Sequence, residues 1–175
     1  MNVVHFCRFG KVSESLLREL PSAVLGRVPK DLIQISIEST ELDPPTNSYV
    51  PNRKQYLADF FLGVLEQHVP SGDHGFALVN LDLFVSKLNF VFGVAQYGGN
   101  AIVALPRLNP AFYGGPEDPE LFFQRVAKET LHELGHVFGL EHCRNYCVMR
   151  FSNSLGDTDR KPDSFCSTCF SELAK

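Results

Sequence analysis

No stretch of the 175-residue chain is both long and uninterruptedly apolar, so the ~18 residues that a membrane-spanning helix needs are missing. Its opening residues, MNVVHFCRFG, lack the basic start and extended apolar run of a secretion leader. Excess positive charge is missing too. Sixteen Lys and Arg stand against twenty Asp and Glu, a net charge of −4, so no global field draws the chain to nucleic acid or to an anionic bilayer. Internal repeats and low-complexity tracts are absent. The expectation is a cytoplasmic monomer with no nucleic-acid and no membrane partner.

Cysteine is scarce through most of the chain. Cys7 stands alone, and the other four, Cys143, Cys147, Cys166 and Cys169, crowd the C-terminal end. In a cytoplasmic chain such a cluster points to metal ligation before disulfides. Cys7, in a strand candidate with no nearby partner, is read as a core thiol. The rest of the composition is that of an ordinary globular protein of one domain, residues 1–175.

Local patterns give an α/β order. Residues 2–9 form a short β-branched strand candidate. A helix is expected from a Ser13 cap to about residue 25, with Pro21 placing its second half in question. Residues 31–39 alternate apolar and polar as a half-buried strand does. A proline-rich loop spans 42–52, a helix 55–69 and a third strand 75–83. Residues 89–97 and 100–105 flank Gly98-Gly99 and read as a hairpin. Asp118 followed by Pro119 starts a helix that runs to about residue 138, where Gly139 stops it. Residues 106–116 form a loop and 140–175 an irregular tail. The domain thus divides into a sheet-and-helix part, 1–139, and a lower cysteine-rich part, 140–175.

The chemistry concentrates in HELGHVFGLEHC, residues 132–143. His132 and His136 lie four apart on the helix and so share a face. Gly139 turns the chain, and His142 returns as a third nitrogen donor. Three donors leave a fourth position open, the arrangement of a catalytic rather than a structural zinc. Glu133, beside the first histidine, is placed to act as a general base toward water. The bland alternative is a helix with surface histidines, but the added glycine and third histidine make this pattern far stricter than HExxH alone.

Cys143-x3-Cys147 and Cys166-x2-Cys169 supply two clips of two thiolates, which suit a closed tetrahedral zinc. Free thiols in a packed tail are the alternative. Cys143 belongs with this second ion, since a fourth protein ligand would fill the position that water needs at the first.

HExxHxxGxxH is the metzincin signature, and Met149, in CVMR, follows where a Met-turn would run beneath the zinc. Cys143 directly after the third histidine, CVMR, CSTC at 166–169, NLDLF at 80–84 and FVFGVAQYGG at 90–99 together resemble the archaemetzincins. The resemblance implies a single metzincin-like domain with a mixed, mostly parallel, five-stranded twisted sheet in the order 2-1-3-5-4, packed on helices. Its fourth strand, here about residues 89–97, is the antiparallel edge above the cleft. The function expected is a zinc-dependent metallopeptidase with two Zn2+ per chain, binding a peptide or protein substrate in extended form along that edge. A zinc-containing peptide-binding protein with little or no proteolysis is the alternative. A zinc-ribbon nucleic-acid binder lacks its electrostatic footprint, because the charges of residues 143–175 nearly balance.

Overall fold

The computed structural model describes all residues, Met1–Lys175. Its elements run β1 (Asn2–Phe9), α1 (Glu14–Leu25), β2 (Ile33–Leu42), β3 (Tyr49–Val50), β4 (Gln55–Leu57), α2 (Ala58–His68), β5 (His74–Val79), β6 (Leu83–Phe84), β7 (Gly93–Ala95), β8 (Ala101–Ala104), α3 (Pro119–Val137), α4 (Leu155–Arg160) and α5 (Ser167–Leu173). No helix is long and apolar enough to cross a membrane.

Five strands form one sheet in the order β2-β1-β5-β8-β7. All pair in parallel except β7, which runs antiparallel to β8 at the edge. Counted along the chain, this is the expected 2-1-3-5-4. The central strands are apolar on both faces because helices cover both. Val4 and Phe6 of β1, Phe76 and Leu78 of β5, and Ala101 and Val103 of β8 face one layer, with α1 and α3. Cys7 and Phe9, Ala77 and Val79, and Ile102 and Ala104 face the other, with α2. The period-two alternation of strand side chains thus splits one sheet between two cores.

Helix α1 continues through Pro21. Ser13 precedes it, but its hydroxyl meets Ser15 Oγ at 2.7 Å rather than a backbone N–H. The second helix begins three residues later than its apolar spacing suggests. Gln55, Tyr56 and Leu57 instead pair with β3 and β6 in a small second sheet. Gln55 also donates to Asn89 O at 2.9 Å. The hairpin ladder is shorter than expected, Gly93–Ala95 within 89–97, and turns at Gly98, which adopts φ 66°. The tail is not wholly irregular. It carries α4 and α5, and its Cys147, Val148, Met149, Cys169 and Leu173 join the α1/α3 core.

Candidate metal centre

Asp118 caps α3 by accepting from Leu121 N at 3.0 Å, and Pro119 follows at its first helical position. The last turns of the helix are almost wholly buried, including Thr130, Leu131, Leu134 and Val137, with His132 and Glu133 each only 5% exposed. Gly139 has φ 99°, and Leu140 N donates back to Gly135 O at 2.9 Å. That reversal returns His142 toward the helix. One ligand atom from each of His132, His136 and His142 lies within 4.8 Å of the others.

The hydrogen bonds fix which nitrogen each helical histidine offers. His132 Nδ1 faces Val148 O at 2.9 Å, and His136 Nδ1 faces Leu140 O at 2.7 Å. A carbonyl only accepts, so both Nδ1 atoms carry hydrogen and, in the neutral rings, both Nε2 atoms present lone pairs. Those two Nε2 atoms face each other at 3.1 Å. Two acceptors at that separation repel unless a cation lies between them. Two ligands on a tetrahedral zinc with ~2.0–2.1 Å bonds stand about 3.3 Å apart, so the pair fits that ion. Burial lowers the pKa of His132, His136 and His142, with Lys161 adding to the effect at each. All three are thus held in the neutral form that binds metal.

Glu133 is pressed between α3 and the edge strand. A Cβ at Gly93 of β7 would lie 2.5 Å from Glu133 Oε1 and 2.6 Å from its Cγ. Only glycine lets the strand approach this carboxylate so closely. Burial pushes the Glu133 carboxyl well above the usual range, Glu129 pushes the same way, and Lys161 opposes. A divalent cation beside it would favour the ionised form. Gly93, Glu133 and the three histidines all line a cleft of about 560 Å³.

The cysteines form a second cluster. Sulfur atoms of Cys143, Cys147, Cys166 and Cys169 lie within 4.8 Å of one another, and Cys143 and Cys166 are 3.8 Å apart. That is too long for a disulfide and matches the ~3.8 Å expected between sulfurs bound to tetrahedral zinc at ~2.3 Å. Cys166 N donates to Cys147 Sγ at 3.2 Å. The Cys169 backbone N–H heads the interactions that lower the Cys166 thiol to about 6, whereas burial raises Cys147 and Cys169. One thiolate forms readily here, and further ones need a compensating cation.

Between the clusters runs Cys147-Val148-Met149. Met149 is fully buried beneath α3, where a Cβ on Gly135 would fall 2.4 Å from its Sδ. Gly93, Gly135 and the Val148 carbonyl are missed by motif reading. For Gly135 the hint is a glycine within a helical HExxH, since it costs helix propensity and asks for a packing reason. His74 holds the hairpin turn through Gly99 O at 2.8 Å. His5 sits between Glu38 and Asp73. Neither joins the metal cluster.

Residues 46–175 match the model of peptidase family M54. The chain is 40% identical over 180 residues to the archaemetzincin of Pyrococcus abyssi, covering all of this chain and 96% of that one. Among solved structures, the archaemetzincin of Methanopyrus kandleri superposes with a TM-score of 0.84 at 35% identity, covering 99% of this chain and 93% of that one. A zinc-dependent peptidase from Methanocorpusculum labreanum gives 0.86 at 29% identity, covering 97% and 99%. With its sheet order and paired histidine and cysteine clusters, the chain belongs to peptidase family M54, the archaemetzincins, and is a zinc metallopeptidase.

Proposed function

We propose that His132, His136 and His142 hold the catalytic zinc, that Glu133 is the general base, and that Cys143, Cys147, Cys166 and Cys169 hold a second, structural zinc. The observation that carries this reading is the opposed Nε2 pair, each the bare nitrogen of a neutral ring whose hydrogen is given from Nδ1 to a backbone carbonyl. When bound, zinc supplies a Lewis acid that lowers the pKa of water from near 16 to roughly 7 and polarises a carbonyl.

The chain's own groups do the rest. The Glu133 carboxylate accepts the proton of the attacking water and carries it to the departing amine. Gly93 holds that carboxylate against the edge strand. Strand β7 ends the sheet, so its outer backbone groups are free to pair with an extended substrate. Beyond the 560 Å³ cleft, His136, His142 and Ala95 also border a second hollow with Tyr97, Leu140 and Glu141. Openings on both sides of the histidines suit a polypeptide passing through, hence cleavage at internal bonds. Met149 is a packed base under the ligands and takes no part in the chemistry.

The test is exposure of zinc-loaded protein to a diverse peptide library, with products identified by mass spectrometry. Internal cuts by the unmodified protein, lost in Glu133→Gln, are expected. Cuts that persist unchanged in Glu133→Gln would remove that residue from the mechanism.

A further inference from the structure

The cleft has a floor that the peptidase reading leaves without a role. Glu129 lies four residues before Glu133 on α3 and lines the cleft beside the histidines. Its side chain is 3% exposed, and its partner Lys161 is 1% exposed. Removing such a pair from water is costly. Both protein contacts of Glu129 fall on one oxygen. Thr158 Oγ1 donates to Oε1 at 2.9 Å, and Lys161 Nζ stands 2.9 Å from the same atom. The lysine contact is an ion pair whose angles do not make a hydrogen bond. Oε2 is left to the cleft.

The wall above this floor is aromatic. Phe90 and Phe92 meet edge-to-face at 5.1 Å. Arg107 stacks over Phe90 at 4.5 Å and is fixed by Asp82 through bonds of 2.6 and 2.8 Å. Phe151 stands opposite, 55% exposed, its ring 5.1 Å from that of His142. A side chain entering here passes apolar faces and ends at a carboxylate oxygen.

We propose that Glu129 is a specificity residue, forming with Phe90, Phe92 and Phe151 a subsite for a substrate side chain that has an apolar stem and a hydrogen-bond donor at its tip. Lysine, tyrosine and glutamine have that form. Four residues of α3 at ~1.5 Å rise set Glu129 about 6 Å along the helix from Glu133, beyond the reach of alanine or valine. A glutamate tip would put carboxylate against carboxylate and is rejected. A methyl tip leaves the buried acceptor unpaired, which a polar site penalises more than an apolar site penalises a missing methylene.

The inference rests on the peptidase reading, so binding and turnover are measured separately. Calorimetry with zinc-loaded protein compares peptide hydroxamates that differ in one residue beside the hydroxamate: lysine against norleucine, tyrosine against phenylalanine, and glutamate. The expected result is that lysine and tyrosine exceed their partners in affinity by ~10-fold, with glutamate weakest. Glu129→Gln should shrink the lysine preference to about threefold or less. Thr158→Val removes the hydrogen bond to Oε1 without touching Oε2, so it should lower Tm and leave the preference intact. Equal affinities in the unmodified protein, or a preference that survives in folded Glu129→Gln, would overturn the proposal. If Glu129→Gln does not fold, Glu129→Gln combined with Lys161→Met removes both buried charges and is judged by the same ratio. Preference without cleavage of the matching peptides would sink the peptidase reading alone, whereas cleavage without preference would sink the subsite alone.

Discussion

His132 donates from Nδ1 to the carbonyl oxygen of Val148 at 2.9 Å, and that carbonyl lies between Cys147 and Met149. Three consecutive residues thus serve three purposes: a sulfur for the cysteine cluster, an acceptor that orients a histidine, and an apolar base under α3. Loss of the cysteine cluster should therefore be felt at the histidines. Replacing Cys166 and Cys169 together by serine is expected to weaken zinc at the histidine site by ~10- to 100-fold, the usual effect of disturbing a group that orients a ligand. Competition with a graded chelator measures it, and an unchanged affinity would show that the two clusters are independent.

Gly93→Ala tests how Glu133 is held. The added methyl overlaps the carboxylate by its 2.5 Å approach to Oε1, so Glu133 must shift. Turnover should fall by ~10²-fold, as for a misplaced catalytic group, with zinc content and Tm near those of the parent. Full activity would mean that the carboxylate has slack against the strand.

Met149 should tolerate leucine and not serine. Leucine nearly conserves volume. Serine leaves a cavity and a buried hydroxyl beneath α3, each costing on the order of 1–3 kcal/mol. Thermal unfolding and zinc affinity check both variants, and an unchanged melting temperature in Met149→Ser would deny the methionine its packing role.

A pH effect is expected far from the metals, at His5. Burial lowers its pKa, but the bonds to Glu38 and Asp73 outweigh this and the net shift is upward. A group whose folded pKa is raised stabilises fully below its unfolded value, near 6.5, and loses that contribution as pH rises through the folded value. His5→Gln should therefore destabilise more at pH 5.5 than at pH 9. Denaturant unfolding at the two pH values reads the difference, and an equal loss at both would leave His5 uncharged in the fold.

Local signals carried most of the site. His132, Glu133, His136 and His142 are legible because four-residue spacing on a helix and a glycine turn leave few other geometries. The cysteines are legible from their clip spacing. The sheet order came from family resemblance, since periodicity names strands and not their neighbours. Gln55–Leu57 carries a helical apolar rhythm, yet pairing with Leu83 and Phe84 makes it a strand, a tertiary override of pattern. Glu129 and Lys161 stay hidden for the same reason: nothing local announces that residues 32 positions apart will meet in the core. Gly93 lies in a strand, where a glycine hints at close approach without saying to what.

Zinc content per chain tests the central claim most directly, measured by elemental analysis on reconstituted protein, on His136→Ala and on the Cys166→Ser, Cys169→Ser double variant. Two ions are expected in the unmodified protein, with one lost from each variant: a chelator-accessible ion from His136→Ala and a tightly held one from the double variant. One ion in the unmodified protein, unchanged when both cysteines are replaced, would contradict it.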